Sequence, residues 1–153
     1  MSDTLPEIGD LSGDGTVNAP ELDKLPGRVI GLGIDIVARE RVARMYETHG
    51  ERFLKRCFTD KEAEYCVSRR DPVPDLAVRL AAKEAAFKAI GARRGMGIGW
   101  REFEVVLDSG SVPSLRLHTK AEARGEEIGA DRLWMSLTHE DLWSAAVVVV
   151  TGK

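Results

Sequence analysis

The sequence predicts an α+β fold in which an antiparallel-rich sheet packs against one long helix. Three stretches carry that expectation. Val29 to Val37 is a β-branched, apolar run interrupted at Gly31, Gly33 and Asp35, which fits a strand better than a helix. Asp75 to Ile90 is rich in alanine and other good helix formers, and Gly91 is placed to stop it. The unbroken Val147 to Val150 is expected to be a central strand buried on both faces. With 153 residues the chain has room for one core, not for two cores and a linker.

Taken in order, residues 1–27 hold almost no large apolar side chains at a regular period and read as a flexible tail, leaving 28–153 as the folded domain. In the first strand, alternation puts Ile30, Leu32, Ile34 and Ile36 on one face, expected to be the core surface. Gly31, Gly33 and Asp35 fall on the other, where a ligand would find room beside a carboxylate. Ala38 to Cys57 reads as helix, and Thr59 with Glu62 forms a capping-box pattern that opens another, ending near Ser68. After the long helix, Gly91 to Gly99 contains four glycines and two arginines and must be a loop. Strands follow at about Phe103 to Leu107 and Leu115 to Leu117, around a turn at Asp108, Ser109 and Gly110. A helix near Thr119 to Ile128 leads to the last two strands, Leu133 to Thr138 and Ser144 to Val150.

Composition excludes several function classes. About 43% apolar and 31% charged residues is ordinary for a globular protein, and a net charge of -3 gives no whole-chain attraction to nucleic acid or anionic membrane. Cys57 and Cys66 have neither metal-ligand spacing nor the density of a disulfide scaffold, so they are expected to be free thiols. No basic region followed by an apolar run opens the chain, and its apolar runs are far shorter than a membrane span, so a cytoplasmic location is expected.

The long helix carries the densest chemistry. Glu84 and Lys88, four apart, share a face with Leu80 and Phe87, whereas Arg79 and Lys83 form a neighbouring row. A surface Glu–Lys pair adding a few tenths of a kcal/mol to the helix is one reading. The alanines around Glu84 suggest another, because they let a ligand or a second backbone come close. Asp35 on its glycine face and Glu84 on this helix are together what a magnesium site for phosphate chemistry needs: one or two carboxylates, completed by phosphate oxygens and water. Nearby lysine and arginine would neutralise the remaining phosphate charge.

Gly31-Leu32-Gly33-Ile34-Asp35-Ile36, then Arg79 through Lys88, then Ser136-Leu137-Thr138-His139, in this order and at these separations, resemble the holo-[acyl-carrier-protein] synthase family of 4'-phosphopantetheinyl transferases over about Arg28 to Gly152. The resemblance implies Asp35, Glu84 and Lys88 as catalytic residues, with Asp35 and Glu84 binding Mg2+. It also implies that Arg79, Lys83, Lys88 and His139 bind coenzyme A. The arginine-rich segment after Asp35, by spacing alone a solvated helix face, becomes in that light the surface for an acidic helix of acyl carrier protein, through Arg41, Arg52 and Arg56. A homotrimer with active sites between subunits is implied as well. The chain departs from the family pattern at Trp134, at Leu80, and in a longer Gly91–Gly99 loop with Arg93 and Arg94, which bear on substrate contacts.

Asp10, Ser12, Asp14, Gly15 and Glu21 occupy the spacing of an EF-hand-like calcium loop, but no entering helix is expected before Asp10, so an inert flexible tail is the preferred reading. The alternative function is a non-catalytic module that binds coenzyme A or carrier protein, with a calcium-binding tail.

Overall fold

The structure, a computed structural model, describes residues 27–107 and 112–153. The calcium-loop pattern at Asp10 to Glu21 and the turn at Asp108 to Gly110 lie outside the described residues. Strand β1 (Arg28–Ala38) leads into helices α1 (Arg39–His49), α2 (Glu51–Cys57), α3 (Asp60–Val67) and the long α4 (Val73–Ala89). A 3-10 turn (Trp100–Glu102) opens the hairpin β2 (Phe103–Leu107) and β3 (Pro113–Leu117), and α5 (Thr119–Glu127) precedes β4 (Ala130–His139) and β5 (Trp143–Gly152). The strands form a three-stranded sheet ordered β1-β5-β4 and a two-stranded sheet β2-β3, with antiparallel pairing in both. The α+β expectation is met, with β5 at the centre.

Several boundaries differ from the sequence expectation, two of them for local reasons. The helix expected over Ala38 to Cys57 divides at Gly50, whose φ of 47° turns the chain while its N–H donates to the Tyr46 carbonyl at 2.8 Å. Helix α4 starts at Val73 instead of Asp75, because Pro74 falls in the first turn, where its missing N–H costs nothing. Strand β4 begins earlier than Leu133, at Ala130. The Thr59–Glu62 capping box forms as expected, with Glu62 N–H donating to Thr59 Oγ1 at 3.3 Å and Thr59 N–H to Glu62 Oε2 at 2.9 Å.

The faces of β1 are the main correction. Leu32, Ile34 and Ile36, expected in the core, are 65%, 64% and 62% exposed. The glycine face is the one that packs. A Cβ on Gly31 would sit 2.0 Å from the Ala89 carbonyl oxygen, and one on Gly33 would sit 1.8 Å from that of Ala85. Glycine is needed here for close backbone approach, and the alanines of α4 meet it from the other side. Ala81, Ala82, Ala85 and Ala86 are fully buried, as are Val148 and Val150 of β5. Val147 and Val149, expected to be buried like their neighbours, are only half-buried, since they share the open face with Leu32 and Ile34.

Candidate active site

Close packing of β1 on α4 sets the site. Asp35 follows the two glycines on the same face, and Lys88 reaches across from α4 to donate to Asp35 Oδ1 at 2.8 Å and to the Ile34 carbonyl at 2.9 Å. The other oxygen, Asp35 Oδ2, is buried and has no hydrogen-bond donor. Glu84, one turn before Lys88, titrates above the usual carboxylate range because burial strips it of water and the Asp35 carboxylate lies within hydrogen-bond reach; Arg41 and Lys88 pull the other way. Two carboxylates pressed together, one with an orphaned buried oxygen, leave a place for a cation. Among the described residues no cluster of three or more His, Cys, Asp or Glu could hold a metal.

Beside Glu84 opens a cavity of about 460 Å³ between α1, α2, α4 and the 3-10 turn. Arg41, Arg52 and Arg56 line it, which brings the three arginines predicted for carrier-protein contact to the same opening as a predicted metal ligand. Met45, Phe53, Leu80 and Trp100 supply apolar walls. The arrangement can neutralise a polyanion at its rim, receive an apolar group inside and hold a proton acceptor at one wall.

The predicted Arg79–Lys83 row turns away from this opening. Arg79, 4% exposed, donates to the carbonyl and Oδ1 of Asp75, both at 3.2 Å, and stacks on the Tyr65 ring at 4.4 Å. Arg69 covers the same ring at 4.6 Å. Arg79 also lines a smaller cavity of about 180 Å³ with Lys61 and Tyr65. Lys83, expected to bind coenzyme A, is instead fully buried. Its ammonium donates to Glu62 Oε2 at 2.8 Å, to the Trp100 carbonyl at 3.2 Å and to the Phe103 carbonyl. With its three donors engaged inside the core, it has none left for a phosphate. His139 is exposed at the end of edge strand β4, two strand spacings or about 10 Å across the sheet from β1.

Sequence reasoning passed over Met45, Phe53 and Trp100, and saw in Glu62 only a capping residue. Met45 lies four positions after Arg41 and Phe53 three before Arg56, so both could have been found by helical spacing. Trp100 gives no such signal, because it arrives from a loop.

A family model described as the 4'-phosphopantetheinyl transferase superfamily matches residues 31–146. The chain is 42% identical over 121 residues to holo-[acyl-carrier-protein] synthase of Leptospira biflexa serovar Patoc, covering 79% of this chain and 95% of that one. The chain belongs to the holo-[acyl-carrier-protein] synthase family. Solved structures agree. That of holo-[acyl-carrier-protein] synthase from Neisseria meningitidis superposes with a TM-score of 0.73 at 31% identity, covering 80% of this chain and 98% of that one. The Bacillus anthracis holo-(acyl-carrier-protein) synthase, crystallised in complex with CoA (3',5'-ADP), gives a TM-score of 0.67 at 26% identity, covering 82% and 98%. Membership makes the chain a phosphopantetheinyl transferase. The matched span contains Asp35, all of α4 and the Ser136–His139 segment that suggested the family in the sequence.

Proposed function

We propose that the chain transfers 4'-phosphopantetheine from coenzyme A to a serine of apo acyl carrier protein, releasing adenosine 3',5'-bisphosphate, with Mg2+ held by Asp35 and Glu84. The observation that carries this reading is the meeting of the two carboxylates, Asp35 Oδ2 without a donor, and Lys88 2.8 Å from Asp35 Oδ1. A non-catalytic binding module has no need of such a trio.

Bound there, Mg2+ would supply charge neutralisation to the pyrophosphate. The protein does the rest. Glu84 accepts the proton of the serine hydroxyl, directly or through one water, as serine oxygen bonds to the β-phosphorus. The bond from that phosphorus to the bridging oxygen breaks, and Lys88 stabilises the charge on the departing phosphate. Arg41, Arg52 and Arg56 receive an acidic carrier-protein helix at the mouth of the cavity, which delivers the serine to Glu84. Arg79 and Arg69, both stacked on the Tyr65 ring, take the far phosphate of coenzyme A.

The active enzyme is a homotrimer in this reading. Leu32, Ile34 and Ile36 on edge strand β1, with Trp143 49% exposed beside them, form an apolar stripe that a monomer would leave in water. Covering that sheet face with other subunits accounts for it, and His139 would then serve a neighbouring site. No helix among the described residues is long and apolar enough to cross a membrane; in this reading the reaction takes place in the cytoplasm.

The test is mass spectrometry of apo carrier protein after incubation with the enzyme, coenzyme A and magnesium. Addition of one phosphopantetheine is expected, with Asp35→Ala and Glu84→Ala both inactive yet folded. No addition by the wild type would refute the reading.

A further inference from the structure

Lys83 plays no part in the chemistry proposed above, yet one of its partners, Trp100, is a wall of the cavity. Its ammonium joins α3 through Glu62, the 3-10 turn through the Trp100 carbonyl, and β2 through the Phe103 carbonyl. Glu62 is itself 3% exposed and fixed from two further directions, accepting from Thr59 N–H and Val105 N–H, both at 2.9 Å. One turn along α4, the Phe87 ring packs 5.4 Å from Trp100 and 6.1 Å from Phe103. Glu84 is the next residue after Lys83, and it lines the same cavity as Trp100.

We propose that Lys83, locked by Glu62, is a positioning residue for the transfer reaction: it sets the rotation of α4 and the place of the Trp100 wall, so that Glu84 meets Asp35. The inference rests on the function proposed above. Replacing a buried ion pair by apolar residues of similar volume is often neutral or stabilising, so stability alone does not call for this one. An apolar side chain cannot hold two backbone carbonyls of another segment at a fixed place. The helix surface lies about 5 to 6 Å from the axis, so a rotation of about 10° carries a side-chain end by about 1 Å. A shift of that size in a reacting group costs up to about 100-fold in rate.

The test compares wild type with Lys83→Met/Glu62→Gln, which removes both charges and leaves neither unpaired. Folding is followed by circular dichroism, and kcat and the KM for coenzyme A are measured separately and corrected for the folded fraction. A second readout is the emission of Trp100 and its quenching by acrylamide, with Trp134→Phe and Trp143→Phe making it the sole tryptophan. Expected are a kcat more than threefold lower, a KM for coenzyme A within threefold of wild type, and a red-shifted, more quenchable Trp100. A kcat within threefold of wild type overturns the proposal, because the pair is then only structural. A KM for coenzyme A raised more than threefold also overturns it, because Lys83 then serves the coenzyme itself. If the double variant does not fold, Trp100→Leu decides, since it keeps the carbonyl that Lys83 holds: a kcat more than threefold lower supports the proposal, and a smaller change overturns it. Failure of the wild type to transfer anything would instead sink the proposed function, and Trp100 emission alone would then decide the positioning role.

Discussion

Gly33→Ala adds one methyl group where β1 touches α4. Its Cβ would lie 1.8 Å from the Ala85 carbonyl oxygen and 2.8 Å from both the Ala85 carbonyl carbon and the Ala89 nitrogen, where ordinary contact begins at 3.4 Å. All three atoms belong to the helix backbone, so no side-chain rotation relieves the clash. The helix must retreat by about 1.5 Å, or the strand must bow away, in an interior packed at crystal density. Over-packing costs about 1 to 3 kcal/mol, and a clash with backbone belongs at the upper end. About 3 kcal/mol lowers the melting midpoint of a domain this size by roughly 10 °C. The same displacement separates Asp35, two residues along β1, from Glu84 and Lys88, which flank the two contact points on α4. A misplacement of about 1 Å at a reacting centre costs up to roughly 100-fold, so a rate loss of that order is expected even where the variant is fully folded. Scanning calorimetry and initial rates of carrier-protein modification well below both melting midpoints give the two numbers. A midpoint within about 2 °C of wild type together with an unchanged rate would refute the claim that glycine is there for close approach.

Three further outcomes are expected. The pKa of Glu84 is raised in the folded protein from its ordinary 4.5, so its ionisation works against the fold, and stability is lost as pH rises from 4.5 through the folded value. Without metal, Glu84→Gln should therefore melt higher than wild type at pH 7, with the gap closing near pH 4; a constant gap would contradict the burial and Asp35 repulsion assigned to Glu84. If the proposed trimer is built on this sheet face, Leu32→Lys/Ile34→Lys should yield a monomer in sedimentation velocity and lower transfer activity, whereas an oligomeric state equal to that of wild type would remove the role given to that face. Burial pushes the Cys66 thiol up to about 11, against the opposing charge of Arg79, and burial also raises Cys57. Both should resist iodoacetamide at pH 8 in the native protein and react only in denaturant, as read by mass; rapid native labelling would show the core to be open.

Much of the site was legible because it is local in sequence. Helical spacing separated the Leu80–Glu84–Lys88 row from the Arg79–Lys83 row, and strand alternation put Asp35 with the glycines. What spacing could not supply was which row faces inward. Lys83 looked available because lysine is usually exposed, and only the arrival of Glu62 from α3 and two carbonyls after Gly99 makes its burial tolerable. The faces of β1 were misassigned for a related reason. An isoleucine and leucine face normally marks the core, but here the helix backbone comes so near that only glycine fits beneath it, and the branched side chains are left facing outward. The break at Gly50 was missed because one glycine inside a helical pattern does not by itself announce a turn.

The central claim, that Asp35 and Glu84 hold the metal for phosphopantetheine transfer, is tested most directly by the mass of apo carrier protein incubated with coenzyme A and the enzyme. Reactions with magnesium are set beside reactions with excess chelator, for wild type and for Glu84→Ala. One phosphopantetheine is expected on the carrier protein only for wild type with magnesium. Transfer in chelator, or near-normal transfer by Glu84→Ala with magnesium, would contradict it.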